Sequence, residues 1–258
     1  MDREWRVVTH ECSPAMHIAL DQVLTERVAS GGAPPTLRFW EWPTRSVIIG
    51  RFQAVRDEVY MDMADEYDVD VVRRTTGGGA MFTEPGRAVT YSLTLPQDAV
   101  TDDIVASYRD LEDWSIAALN DIGVDASHQP VNDIVSGGRK VGGSAQARRD
   151  GAVLHHTMLA YDIDIPTMLK VLKVGEEKVS DKAIESAASR VAPITDHVDL
   201  PRSTVVDRMI EEFSQGRSVR SGALTDAEIG AAADRVADRF GTDDWLYHVD
   251  REIEDLER

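Results

Sequence analysis

The stretch that most restricts the fold lies between residues 132 and 164. "NDIVS" (132–136), "RKVGGSAQARR" (139–149) and "AVLHHTMLAYDID" (152–164) are separated only by Gly137-Gly138 and by Asp150-Gly151. Two-residue Gly-Gly and Asp-Gly connections favour tight hairpin turns, whose central residues take positive φ. Strands joined so closely can pair only antiparallel, so the sequence predicts a three-stranded meander. Successive side chains of a strand point to opposite faces, which puts His155 and His156 on different sides of the sheet.

Around the meander the pattern alternates. "EWRVV" (4–8), "TLRFW" (36–40), "SVIIG" (46–50), "VDVVRR" (69–74) and "AVTYSLTL" (88–95) read as strands, with 36–40 and 46–50 flanking a turn that contains Pro43. A helix is predicted from Ser13-Pro14 to Gly31-Gly32: Ser can accept free amides at the start, Pro suits the first turn, and Gly ends it. Further helices are expected at 57–67, 102–122, 167–174, 181–190, 203–215 and 225–240. "WLYHVDREIEDLER" reads as a docked or frayed terminal helix. This order predicts an α+β fold, a mixed and largely antiparallel sheet flanked by helices.

Composition narrows the function. With 258 residues and 42% hydrophobic content, one large domain or one domain with a small appendage can fill a core. A net charge of −18 argues against nucleic-acid backbones as partners. No apolar run reaches the length of a membrane span, and the first ten residues hold no signal core. A single cysteine, Cys12, fits a reducing cytoplasm. The chain has five lysines against 23 arginines, which suggests a salt-adapted acidic surface. Four of the lysines fall between 170 and 182. The fifth, Lys140, stands between Gly137-Gly138 and Gly142-Gly143.

Two stretches carry chemistry. In "RRTTGGGAMF" (73–82) three glycines carry a large entropy cost and are useful mainly for close backbone approach, as in an anion nest. Arg73 and Arg74 precede them on a strand, so one guanidinium can face the turn and suit a phosphate or carboxylate. The alternative is a flexible turn with a surface salt bridge. No Gly-Lys-Ser/Thr follows, so this is not a P-loop, and it is not a dinucleotide GxGxxG. In "NDIVSGGRKVGGSAQARR" (132–149), Asp133 is a candidate Mg²⁺ ligand or a strand-start turn residue. Lys140 has small neighbours, so a ligand can reach its ammonium. A point charge with three donors can bridge a carboxylate and a phosphate better than a planar guanidinium. Ser144 could sit near a ligand or simply pack, and His155 or His156 could face the site or be satisfied within the sheet. HExxH, CxxC and GxSxG motifs are absent from the chain.

"RRTTGGGAMF", "NDI" with "GRKVGGSAQ", "LHHTML", "EKVSDKAIESAASRVAPITD" (177–196) and "LRFWEWPTRSVIIGRFQ" (37–53) together resemble the lipoate–protein ligase A family of the biotin/lipoate ligase superfamily. The resemblance covers roughly residues 5–200 and looks closest to the archaeal single-domain form. It implies a class II synthetase-like catalytic domain over 1–200. Residues 201–258 would be a helical extension of it, with no separate accessory domain and a small accessory protein in its place. It also implies that lipoate (or octanoate) and MgATP form an acyl-AMP, and that the acyl group passes to a lysine of a lipoyl carrier domain. Such carriers are the acyltransferase subunit of a 2-oxoacid dehydrogenase and the glycine-cleavage H protein.

Carried over by motif, ATP would meet Arg74, Gly77, Gly78, Gly79, Ala80, Met81, Phe82, Asn132 and Lys140, with Mg²⁺ on Asp133. The acid would meet Arg73, Gly79, Lys140, Gly143, Ser144, Ala145, His155 and Trp40. Lys140 would be the catalytic residue. Phe82-Thr83-Glu84-Pro85 stands where the family has His-Asp, and His156 where it has a small residue. If the His156 ring faces the glycine turn, it can stand in for the missing imidazole. Two other readings stay open: an octanoyl- or lipoyltransferase on the same fold, which needs an acyl acceptor such as a thiolate, and a non-catalytic lipoate-binding subunit.

Overall fold

A computed structural model describes residues 3–174 and 180–256. In chain order the strands are β1 (Trp5–Glu11), β2 (Thr36–Glu41), β3 (Arg45–Ile49), β4 (Val69–Arg73), β5 (Met81–Thr83), β6 (Ala88–Pro96), β7 (Ala126–Gln129), β8 (Asp133–Ser136), β9 (Arg139–Arg149), β10 (Ala152–Ala160) and β11 (Val219–Ser221). The helices are α1 (Pro14–Ala29), α2 (Val55–Glu58), α3 (Met61–Glu66), α4 (Ile104–Asp121), α5 (Ile165–Val171), α6 (Asp181–Ala188), α7 (Arg202–Ser214), α8 (Asp226–Arg235), α9 (Asp243–Leu246) and α10 (His248–Leu256).

Eight strands form one sheet in the order β11-β1-β2-β6-β10-β9-β8-β7, and three form a second in the order β4-β3-β5. The large sheet is antiparallel except where β1 pairs with β11 and with β2. The meander is present as β8-β9-β10, with Gly137 and Gly138 at φ 56° and 75° in the first turn. The result is a mixed, largely antiparallel α+β fold flanked by helices.

Alternation along β2 sorts the two faces. Leu37 and Phe39 point into the core beneath α4 and α7, with Trp114 and Phe213. Trp40 points the other way, into the core that α1 shares with Ile48 and Val72 of the small sheet. Both faces of the central strands are buried, and their polar residues Arg38, Thr90, Ser92, His155 and His156 are buried with them.

Five expectations are corrected. The strands on either side of Pro43 are not a paired hairpin: β2 joins the large sheet and β3 the small one, so this turn is the crossing between the two. The helix expected at 57–67 is two short ones, broken where Val59 bridges to Leu172 and Tyr60 donates to the Val171 carbonyl. β10 stops at Ala160, and the stretch read as helix over 225–240 ends as α-helix at Arg235 and continues as a π-helical turn to Phe240. Ser13 does occupy the cap of α1, but its side chain makes no capping bond.

The terminal segment is docked. Asp250 on α10 accepts from the backbone amides of Val55 and Arg56, both at 2.8 Å. Arg73 donates to the carbonyls of Trp245 and Leu246 on one side and of Gly50, Arg51 and Gln53 on the other. Among the described residues no helix is long and apolar enough to cross a membrane.

Candidate functional site

A cavity of about 420 Å³ opens between the two sheets. Its walls are mostly apolar: Ile18 of α1, Trp40 and Trp42, Ile48 and Met81 of the small sheet, and Met158 of β10. One end is polar, formed by the glycine turn and by Asn132, Lys140 and His156. A mostly apolar cavity with a few convergent polar groups suits a ligand with a long apolar part and a polar head.

The glycine turn is built around Arg74. Its guanidinium, buried under the turn, donates to the carbonyls of Gly77 at 2.7 Å, Gly79 at 2.8 Å and Ile48 at 3.0 Å, and to the Thr76 hydroxyl at 3.0 Å. Burial lowers the guanidinium pKa to about 10, still charged at neutral pH. With the Gly77 and Gly79 carbonyls committed to this buried guanidinium, the turn is held around a positive charge, as suits an anion nest. Gly78 lies at φ 94°, and a Cβ on Gly50 would fall 2.0 Å from the Gly78 carbonyl oxygen, so two backbone segments meet there without room for a methyl group.

Lys140 lines the same cavity from β9. Its backbone is tied on both sides, the amide to Arg190 O and the carbonyl to Ala192 N, each at 2.8 Å. The register between β8 and β9 shifts beside it: Ile134 faces Gly142 and Val135 faces Lys140, which leaves Val141 out of the pairing. The ammonium contacts Asp133 at 2.6 Å and is half-exposed. A Cβ on Gly143 would meet Lys140 Nζ at 2.9 Å, and one on Gly142 would meet the Met158 carbonyl at 2.6 Å. Gly143 therefore leaves room for the lysine side chain itself, and Gly142 for the close approach of β10. Asn132 braces the wall by donating to the Ser144 carbonyl at 2.6 Å.

The two strand histidines separate as the alternation requires. His156 lines the cavity, with Nε2 2.7 Å from Thr76 Oγ1 at the glycine turn and Nδ1 2.9 Å from Asp21. Its ring faces the turn, as the replacement idea demanded. His155 is completely buried on the other face beside Tyr108 and Glu112, and burial lowers its pKa to about 3.

Ser144 contributes to the cavity wall, but its hydroxyl bonds backward to Glu112 and Thr157. Burial, with Asp133 and Asp113 adding to it, pushes the Glu112 carboxyl up to about 8 against the opposing Ser144 bond.

Of the residues expected at the site, Trp40, Arg74, Gly78, Gly79, Ala80, Met81, Phe82, Asn132, Lys140, Gly143, Ser144 and Ala145 line one cavity. Arg73 and His155 do not: the Arg73 guanidinium is consumed by backbone carbonyls toward α9, and His155 points to α4. Gly77 sits just behind the turn, bonded to Arg74 and packed on Phe52. Asp133 reaches the site through Lys140. The altered Thr83-Glu84 segment leaves the main cavity, with Glu84 buried between Arg45 at 2.9 Å and Arg87 at 3.2 Å. Glu177–Val179 lie outside the described residues. Asp21, Thr76 and Glu112 were missed. A carboxylate in the apolar run "MHIALDQVL" and one in "YRDLEDWS" were the available signals.

Asp133 is a single carboxylate, and among the described residues no group of three or more His, Cys, Asp or Glu side chains could hold a metal. Mg²⁺ is commonly held by one or two carboxylates, waters and substrate phosphates. These residues therefore fit an ion that arrives with a nucleotide.

A large mostly antiparallel sheet, a small second sheet and a channel ending in a glycine turn and one lysine define a domain of the biotin/lipoate ligase fold. Residues 13–214 match the lipoyl protein ligase A/B catalytic domain, and the chain belongs to that family. It is similar to octanoyltransferase LipM of Brevibacillus brevis, 27% identical over 274 residues, covering 94% of this chain and 98% of the relative. It is also similar to lipoate-protein ligase A subunit 1 of Thermoplasma acidophilum, 32% identical over 242 residues, covering 89% and 90%. The structure of a bi-partite lipoate protein ligase, described with its E2 lipoyl domain, from that organism has a TM-score of 0.84 at 29% identity, covering 96% of this chain and 97% of the other. A lipoate-protein ligase A bound with ATP also has a TM-score of 0.84 at 29% identity, covering 95% and 99%.

Proposed function

We propose that this protein is an ATP-dependent lipoate–protein ligase of the cytoplasm. In the first step an oxygen of the acid's carboxylate attacks the α-phosphorus of ATP, the bond to the bridging oxygen breaks, and pyrophosphate leaves. In the second a carrier lysine amine attacks the acyl carbonyl, AMP leaves, and an amide forms. Both steps bring anions together or expel them, so positive charge and positioning are the catalyst's main tasks. Lys140 lies where the carboxylate and the α-phosphate would meet. The Arg74-centred turn holds the phosphates, Asn132 fixes the wall, and the Trp40 side receives the acyl tail. Bound Mg²⁺ would neutralise phosphate charge, with Asp133 as its protein ligand.

The observation that carries the ligase reading is the lack of a thiol at the charged end. Cys12 is the chain's one cysteine, lies off the cavity wall, and has its thiol pushed up to about 12 by burial. A transferase that works through an acyl-enzyme would need an activated nucleophile there. Similarity to LipM over nearly its whole length favours octanoyl transfer as the second reading.

Incubation with MgATP and lipoate, followed by mass spectrometry, separates the two. Acyl-AMP with retained activity in Cys12→Ser is expected. Acyl transfer from an octanoyl-thioester donor without ATP, lost in Cys12→Ser, would overturn the ligase reading. The acceptor is a lipoyl carrier domain, and the bi-partite relative motivates adding a small accessory protein to that assay.

A further inference from the structure

Asp21, His156 and Thr76 form a hydrogen-bonded line from the core beneath α1 to the glycine turn. Asp21 is buried, and Arg38 Nη2 donates to its Oδ1 at 2.7 Å. Burial alone would raise this carboxyl, but Arg38 and His156 outweigh it and hold its pKa at about 2. An ionised carboxylate only accepts, so His156 Nδ1, 2.9 Å from Oδ2, carries the proton. Arg74 Nε only donates, so the Thr76 oxygen accepts from it at 3.0 Å and the Thr76 proton is free for His156 Nε2 at 2.7 Å. Arg74 Nε is shared between the Thr76 oxygen at 3.0 Å and the Gly77 carbonyl at 3.2 Å, so the last member of the line is the cation around which the turn is folded.

The line has the residue types of an acid–base–hydroxyl triad, but its location argues against a nucleophile. Thr76 is 1% exposed and is not on the cavity wall, while its oxygen is already engaged by Arg74. A substrate carbonyl has no approach to it. What the geometry can do is orient Arg74, whose Nη2 holds the Gly77 and Gly79 carbonyls.

We propose that Asp21, His156 and Thr76 are positioning residues that fix Arg74 and thereby the anion-binding shape of the 76–79 turn. The inference rests on the reading of this turn as the phosphate site. It assigns to His156 a role through Thr76 rather than direct contact with the acid.

The test is ATP and lipoate binding by calorimetry with wild-type protein, Thr76→Val, Thr76→Ser and Asp21→Asn, with thermal unfolding of each. Thr76→Val keeps the shape of the side chain and removes the hydroxyl. A single well-placed hydrogen bond predicts about tenfold weaker ATP binding with lipoate affinity unchanged, and recovery in Thr76→Ser. Asp21→Asn should move ATP affinity in the same direction as Thr76→Val. Unchanged ATP affinity in Thr76→Val overturns the inference, and so does an equal fall for ATP and lipoate that tracks lost thermal stability. Failure of the wild-type protein to bind ATP at all would instead overturn the phosphate-site reading itself.

Discussion

At the scale of single residues the site depends on where charge is placed. Lys140 is half-exposed and held by one ion pair, to Asp133, while Arg74 is buried and locked into carbonyls. Their roles do not exchange. Lys140→Ala should reduce acyl-AMP formation by about a hundredfold or more, as for loss of one donor at a developing charge. Lys140→Arg should cost about tenfold or more, because the planar fork does not sit between two anions as a point charge does. Pyrophosphate release measures both, and near-normal release by the arginine variant would remove the special claim for lysine.

Glu112 gives a second prediction. Its folded-state pKa is raised to about 8 from 4.5, so it favours the folded state fully at low pH and loses that advantage as pH rises through about 8. Urea unfolding between about pH 5 and about pH 9 should show stability falling with pH in wild type, by an amount on the order of a few kcal/mol. The same series in Glu112→Gln should be flatter, and parallel curves would refute the assignment. The exceptional lysine was legible in sequence, since it stood alone among glycines. The destination of each arginine was not: Arg73 and Arg74 are adjacent and identical in type, and only the packing of α9 decides which one leaves the site.

At the scale of elements, strand alternation explains most of what was legible. The "GG" and "DG" turns prescribed the meander, and the period of two put His155 and His156 on opposite faces. The short strands β5, β7 and β11 were illegible, because three or four residues carry too little pattern, and the partners of β5 and β11 are also distant in sequence. The split of β2 and β3 between sheets was also hidden, since a local turn does not reveal which neighbour each strand will choose.

The closeness of the Gly50 loop to the glycine turn gives an element-scale prediction. Gly50→Ala places a methyl group 2.0 Å from the Gly78 oxygen, so one segment must move. About 1–3 kcal/mol of destabilisation is expected from such overpacking, together with loss of ATP binding disproportionate to loss of lipoate binding. Calorimetry with each ligand reads this, and equal affinities to wild type would mean that the two backbones do not need their close approach.

At the scale of the whole molecule, a net charge of −18 surrounds a site proposed to accept anions. Of the cations that line the cavity, Arg74 is buried under its turn and Lys140 is half-exposed. Surface self-repulsion is screened as the Debye length falls from about 10 Å at 0.1 M salt to about 3 Å at 1 M. The unfolding temperature is therefore expected to rise with added salt over this range, while a flat or falling curve would refute the claim that acidic repulsion limits stability.

Arg73 ties the segment before the glycine turn to residues 172 and 173 positions later in the chain. A growing polypeptide therefore makes the anion turn long before it makes the carbonyls that brace the loop behind it. Until Trp245 and Leu246 have left the ribosome, a guanidinium beside the turn lacks its full set of acceptors, although the strands of both sheets are already available to pair. The glycine-turn edge of the site, proposed to meet the nucleotide, would then be among the last parts of a nascent molecule to set.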